Sequence, residues 1–497
     1  MKTIHRMLTR RRESRKPLIE NNNQHTEHGC DRSCYGYDNP WAAQNTFNTA
    51  KKHPWRDDDT ANPFLPEPGD DHSQKAAPLC FPQPPADLDQ NLQQHLDNVE
   101  ETVLAELVRL RPLPAAFHRQ MFDHLHGLLL HISSSKNSLL LMRWVLHTYV
   151  SQEDMGRPDG RLFSEWEAKA KDKLLANVKT EVRDSLDRIL QGERCRGLCD
   201  TEEDYIGLYV DTIQCTAAIP REAQKISSEL CEAVQEVCFQ ELLRFVKRYA
   251  AQQAEVLGAE MEHPQTIHYL KTLKTCKELK QHVHSHGGDI KASLLKEIVA
   301  VLEDIEDFTL KFLMDIVTDI AERHFKDYFK ADNRWGSLSA DLEKHFPKLS
   351  YVQDEQKAVM YDAYQIIAQT YLRYLIQSSR NKLRRYWRQD VGPRVADDAD
   401  KLHNTISRLA PGVQHFMLLK RVSAVLDCRS TDAVKLDVAS IQKNCFRESE
   451  DVDLLYDLLR WKGLSKRRVR EVLDALPGCP STPSSSLWSC GFSSCCC

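Results

Sequence analysis

Leu92, Leu96, Val99, Val103, Leu107 and Leu110 recur at spacings of three and four, which winds them onto one face of a helix. The sequence RPLP at 111–114 predicts its end, because proline lacks a donor and turns the residue before it away from helical geometry. The same period predicts helices at about 116–132, 137–150, 162–191 and 203–217. Pro220 suits the first turn of a long helix through 222–257, and Pro264 restarts the chain for another. The longest stripe is Ile290, Leu294, Ile298, Val301, Ile305, Phe308, Phe312, Ile316 and Ile320. It predicts a helix of about 40 residues and about 60 Å, bounded by Gly287-Gly288 and the NRWG of 333–336. A further long helix is predicted from Val352 to about Arg388, with four shorter ones following to Leu476. No run has strand character. The expectation is an all-α fold, an elongated rod of consecutive antiparallel helical bundles.

The two ends break the pattern. Ten of the 21 prolines precede residue 87, in polar, turn-forming sequence that buries too little apolar surface to offset its ordering entropy. The expected organisation is a disordered basic and proline-rich region over 1–86 and helical bundles over 87–217, 218–346 and 347–476. A disordered cysteine-rich tail follows over 477–497. Composition agrees with helices: 18 glycines in 497 residues is about half the usual ~7%. Lysine and arginine total 67 against 72 acidic residues, so no charge bias points to nucleic acid. The basic N-terminus lacks the apolar core of a secretory signal. The richest apolar stretch, GLLLHISSSKNSLLLMRWVL, is broken by His131, three serines, Lys136 and Asn137, so no membrane span is expected. Sixteen cysteines, mostly scattered singly, fit a reducing cytoplasm rather than a disulfide framework.

Candidate chemistry lies in the charged and irregular stretches. No phosphate loop, dinucleotide fingerprint, HExxH, GxSxG or EF-hand loop is present, and the expectation is a non-enzyme with no cofactor and no metal. Lys2, Arg6, Arg10, Arg11, Arg12, Arg15 and Lys16 stand against one acid, Glu13. Each cation near an anionic leaflet contributes about 1 kcal/mol, which makes this segment a candidate for anionic phospholipid. A nuclear-localisation signal or a solubilising tail are the rival readings. Asn62-Pro63-Phe64 resembles the ligand of EH-domain proteins of endocytic recycling, and Asn-Pro favours the turn that presents the phenylalanine. That motif carries the alternative reading, a cytosolic adaptor. Arg380, Lys382, Arg384, Arg385 and Arg388, with Tyr386 and Trp387 among them, form a second basic cluster near the expected end of a long helix. Opposing the helix dipole is reason enough for it; gripping an acidic partner or lipid headgroups is the functional reading. His282, His284 and His286 alternate as metal ligands would in an extended chain, but read better as a solvated helix end. Cys195 and Cys199 lack a second pair at zinc spacing. Cys495, Cys496 and Cys497 are candidates for acylation, or a double-cysteine prenylation end, or a tail without function.

Two stretches carry a family resemblance: NSLLLMRWVLHTYVSQEDMG, with its Trp-Val-x-x-x-Tyr segment, and the sequence from LDCRSTDAVKLDVASIQK to VREVLDALPG, with the turn at Lys462, Gly463, Leu464 and Ser465. Over roughly residues 90–476 the chain resembles the exocyst complex component 3 family, in its tumour necrosis factor α-induced protein 2 and exocyst component 3-like branch. The resemblance implies the helical-rod fold of multisubunit tethering complexes. It also implies exocytosis and vesicle tethering at the plasma membrane, contacts with exocyst subunits, SNARE proteins and a Ral-type small GTPase, and a part in membrane protrusions. The basic N-terminus matches that branch's phosphoinositide-binding end in character. The chain is short for a full exocyst subunit.

Overall fold

Sixteen helices and no strand make up the described residues of the computed structural model. These are residues 82–476 without 86, 110–113, 152–158, 197–201, 260–265, 287–290, 331–334, 350, 388 and 446–450. In chain order the helices are α1 (Leu88–Arg109), α2 (Pro114–His131), α3 (Ser135–Trp144), α4 (Gly160–Arg196), α5 (Glu202–Gln224), α6 (Ser228–Ala259), α7 (Thr266–His286) and α8 (Ala292–Tyr328). They continue as α9 (Gly336–His345), α10 (Gln353–Gln377), α11 (Arg380–Trp387), α12 (Val391–Leu409), α13 (Leu418–Asp427), α14 (Thr431–Cys445), α15 (Asp451–Lys462) and α16 (Lys466–Leu473). The fold is all-α, with helices packed in consecutive bundles. None is long and apolar enough to cross a membrane.

The serines that interrupt the apolar run before α3 have a structural use. Ser134 caps α3 by accepting the Asn137 N–H. Asn137 Nδ2 donates to the Asp89 carbonyl at 2.6 Å and to its carboxylate at 3.0 Å. The Ser135 N–H donates to Glu181 at 2.7 Å, and Asn177 Nδ2 donates to the Ser138 hydroxyl at 3.0 Å. This polar seam ties α1, α3 and α4 together while satisfying buried donors that would each cost about 1–3 kcal/mol unpaired. Beyond α3 the chain widens into a π-helical turn, Val145–Tyr149. The turn brings the Tyr149 hydroxyl to 2.7 Å from His118 Nδ1 in the core and stacks Trp144 on the Tyr149 ring.

One continuous apolar core runs from Leu88 on α1 to Ile305 in α8. Within it α4 packs on α6, α6 on α8, and α5 against α4, α6 and α7. Arg183 clamps α4 to α6 through two bonds to the buried Glu241 carboxylate, at 2.7 and 3.0 Å. Position 217, where a bundle boundary is expected, lies inside α5 and within this packing. The second half of α8 packs on α9 and α10, and from there α12, α13, α14, α15 and α16 follow in turn.

Four expectations are corrected. Pro220 lies near the end of α5 rather than opening the next helix; α6 starts at Ser228, because the Ser227 hydroxyl accepts the Leu230 N–H at 3.1 Å. The helix expected over 352–388 stops at Gln377. Ser378 is extended there (ψ 151°), its hydroxyl bonds back to the Tyr374 carbonyl and its own carbonyl accepts the Trp461 indole at 2.6 Å. A short helix, α9, follows the NRWG stretch. Five helices, not four, follow α11. The end of α13 is set from far along the chain, where Lys462 Nζ donates to the Leu426 and Cys428 carbonyls at 2.9 and 2.7 Å.

Candidate functional site

The break at Ser378 turns the second basic cluster into a separate amphipathic helix, α11. Leu383 and Trp387 are its buried side, and Lys382, Arg384, Arg385 and Tyr386 are exposed. Arg380 and Lys382 thus sit in the first half of a short helix rather than at the end of a long one. Of the described cations expected there, only Arg384 and Arg385 lie in a last turn where the dipole favours them.

What keeps α11 in this orientation is the core beneath it. Trp387 packs at 5.9 Å from Tyr328 and 5.7 Å from Phe329 (ring centroids), with the Arg394 guanidinium 5.7 Å from the Trp387 ring. Trp387 is therefore an anchor, not one of the aromatic groups that the cluster offers to a partner; Tyr386 alone of the pair is exposed. Arg394 also donates to the Tyr328 hydroxyl at 2.8 and 3.0 Å. Tyr328 and Tyr371 both donate to the carboxylate of Asp398, which is fully buried, and Arg394 and Lys401 face the same carboxylate at 3.5 and 3.4 Å. Burial pushes the Asp398 carboxyl up, against the opposing pull of Tyr328 and Arg394. A carboxylate with zero exposure, closed over by two phenols and two cations, holds α8, α10 and α12 together.

The near end of α11 meets the turn between α15 and α16. Arg380 donates to the Lys462 carbonyl at 2.8 Å. Burial first, and then the Arg380 guanidinium, push the Lys462 ammonium below its ordinary value. Gly463 takes φ 105°, a left-handed conformation suited to glycine, and Ser465 opens α16. Lys466, Arg467, Arg468 and Arg470 follow, all exposed. Arg384 pairs with Asp390 at 3.1 Å, whereas Lys382, Arg385, Lys466, Arg467, Arg468 and Arg470 form no ion pair with another described residue. The result is a basic corner whose cations are held outward by buried apolar residues on the opposite faces of α11 and α16, Val469 and Val472 in the latter. Such a surface suits an acidic partner, which it orients and attracts more than it binds by area. The α16 cations were absent from the sequence-based set; the signal was the run KRRVR directly after the Lys-Gly-Leu-Ser turn.

Other sequence candidates fall elsewhere. Lys2, Arg6, Arg10, Arg11, Arg12, Arg15, Lys16, Asn62, Pro63, Phe64 and Arg388 lie outside the described residues, as do Cys199 and the terminal cysteines. His282 is no part of a solvated end: it is buried, 3.1 Å from the Thr216 hydroxyl and stacked on Phe239. His284 is exposed. Among the described residues no group of three or more His, Cys, Asp or Glu side chains is placed to hold a metal. Burial pushes the thiols of Cys215 and Cys445 up to about 11, which makes them poor nucleophiles.

No family model matches the chain, and no curated protein matches its sequence. Among solved structures it is similar to M-Sec, in its crystal structure, with a TM-score of 0.58 and 16% identity over 83% of this chain and 77% of that one. At that identity the likeness establishes a shared fold.

Proposed function

We propose that the chain is a non-enzymatic, exocyst-related scaffold or tether acting in exocytosis and plasma-membrane remodelling. In this reading residues 2–16 bring it to anionic phospholipid, phosphoinositide above all, at the cytoplasmic face of the plasma membrane. The basic corner of α11 and α16 then docks the acidic face of a protein partner: an exocyst subunit, a SNARE protein or a Ral-type small GTPase. The observation that carries the proposal is the orientation of α11. Leu383 and Trp387 are locked into the core, and exposed Lys382 and Arg385 form no ion pair with another described residue. Two further facts support it. The fold is the helical-bundle architecture that the resemblance to the exocyst component 3 family implies, and the chain shares that fold with M-Sec over most of its length.

The test has two arms. Purified chain is mixed with each partner class, and Lys382→Glu with Arg385→Glu is compared with the wild type. The double variant is expected to lose binding at least tenfold, because reversing two cations turns attraction into repulsion, while its helical content stays unchanged. Equal binding removes the corner from the proposal. In the second arm, liposomes containing phosphoinositide are expected to sediment the wild type and to release a variant with Arg10, Arg11 and Arg12 changed to Ala. Binding should also weaken as salt rises. Co-sedimentation that the triple variant retains in full removes the membrane arm.

A further inference from the structure

We infer that Ser465, in the turn between α15 and α16, is a phosphorylation site for a basophilic serine/threonine kinase, and that its phosphate turns the basic corner off. The second half of this inference rests on the docking role proposed above; the modification itself does not.

Ser465 is exposed, and its backbone is already extended, at φ −64° and ψ 153°. A kinase needs a short extended stretch around its target, and the structure yields one at little cost. Gly463 and residues 465–468 are all exposed, and the first buried side chain of α16 is Val469. Opening the first turn therefore uncovers no apolar side chain of α16. It breaks the backbone bonds of that one turn and two hydrogen bonds to Ser465, from the Val469 N–H to its carbonyl at 2.9 Å and from the Arg468 N–H to its hydroxyl at 3.4 Å. Segments with so few buried contacts open far more readily than a domain core.

The flanking charges supply the recognition. Lys466, Arg467 and Arg468 follow the serine directly and are exposed, and Lys462 lies three residues before it. Lys462 is held at the end of α13 by the Leu426 and Cys428 carbonyls, so the cations on the C-terminal side are the ones presented. A kinase whose substrate groove is lined with carboxylates takes a serine in such a frame. In the transfer, the Ser465 oxygen attacks the γ-phosphorus of ATP, the bond to the bridging oxygen breaks and ADP leaves. The hydroxyl proton passes to the kinase's catalytic carboxylate.

The product places about −1.5 to −2 charges and three acceptor oxygens at the start of α16, beside Arg467 and Arg468. Helix N–H groups and guanidinium groups at that spot favour a phosphate. The phosphate engages cations that faced outward and lowers the net charge of the corner by about two.

The experiment uses the full chain with a protein kinase C catalytic fragment and ATP. Ser14, in RRRESRK, carries similar flanks, so the background is Ser14→Ala with Arg10, Arg11 and Arg12 changed to Ala, and sites are mapped by tandem mass spectrometry. A basic serine peptide in the same tube reports that the kinase is active. Affinity of the corner is read with a labelled polyglutamate peptide. Phosphate is expected on Ser465 and absent from Ser465→Ala. Its 31P resonance should titrate below the ~6 usual for a phosphomonoester, and polyglutamate should bind about tenfold more weakly. Ser465 left unmodified while the control peptide is consumed overturns the inference. So does a phosphate on Ser465 that leaves polyglutamate affinity unchanged while Lys382→Glu with Arg385→Glu lowers it. If that double variant binds like its parent, the docking reading fails, and the mass spectrum alone decides whether Ser465 is a kinase target.

Discussion

Asp398 shows how much one side chain fixes near the corner. Its carboxylate is fully buried and accepts from Tyr328 and Tyr371, and Arg394 and Lys401 complete the cluster. Removing one member of a buried charge cluster leaves the others without compensation, typically at about 3–5 kcal/mol. Asp398→Ala is expected to cost that much in denaturant unfolding, whereas Tyr371→Phe, which deletes a single hydrogen bond, should cost about 1–2 kcal/mol. Equal effects for the two would show that the cluster does not act as a unit. A second residue-scale prediction concerns pH. His95 and His124 face each other across α1 and α2, with their Nε2 atoms 3.3 Å apart. Burial, and then the neighbouring imidazole, push His124 down to about 4 from 6.5, and burial lowers His95 as well. A histidine whose folded value is depressed binds its proton more readily when unfolded, so the unfolded state gains protons as pH falls through this window. The contribution of this pair to stability is therefore present above about 6.5 and is lost as pH falls toward 4. Asp398, raised by burial, works in the opposite sense above the usual carboxylate value. Urea midpoints between pH 7.5 and 5 should fall for the wild type and fall less for His124→Gln. Identical slopes would rule out the pair as the source.

Helix ends, more than helix interiors, carry the surprises at the level of elements. In α8 the expected stripe is right at Ile298, Ile305, Phe308, Phe312 and Ile320, all buried. Val301 and Ile316 are only half-buried, while Leu302, Leu313 and Val317 are buried. A helix packed on several neighbours buries a face wider than a single three-and-four row, which periodicity alone does not reveal. The division of the 352–388 segment into α10 and α11 was not legible, because the Trp461 indole that holds Ser378 extended comes from 83 residues away. The burial of His282 was hidden for the same reason, since Thr216 is 66 residues distant. The basic character of α11 was visible; its separation from α10 and its kinship with α16 were not. Close packing between α12 and α13 makes a further prediction. A Cβ at Gly392 would lie 1.9 Å from the Asp427 carboxylate, and the Ser423 hydroxyl bonds the Gly392 carbonyl at 2.8 Å. Gly392→Ala is expected to destabilise the chain by about 1–3 kcal/mol through overpacking, although alanine is the better helix former. Restoration by the double variant Gly392→Ala with Asp427→Ala would confirm the clash as the cause, and a neutral single variant would refute it.

At the scale of the whole chain, α8 is the element that couples the two halves of the described structure. Its 37 residues extend over about 55 Å. Ile298, Leu302 and Ile305 belong to the core that begins on α1. Phe325 and Tyr328, a few turns on, pack against Tyr371 of α10, with ring centroids 5.3 and 6.3 Å away. Thr309 stands between the two regions, fully buried, with its hydroxyl bonded to the Ile305 carbonyl at 2.7 Å. A helix shared by both regions fixes their relative position only while it is unbroken, because a hinge there would let each region move independently. Thr309→Pro removes a backbone hydrogen bond and crowds the preceding turn, at about 3 kcal/mol or more. The expected outcome is a variant in which hydrogen exchange of α10 and α12 no longer tracks that of α4 and α6, and whose urea unfolding separates into two steps. Thr309→Val, which keeps the backbone bond and removes only the hydroxyl, should leave the two regions coupled. A proline variant that still unfolds in one step with uniform exchange would mean that coupling runs through other contacts, such as the Lys277–Glu355 ion pair of 2.8 Å between α7 and α10. Breaking that pair in the same background would then locate it.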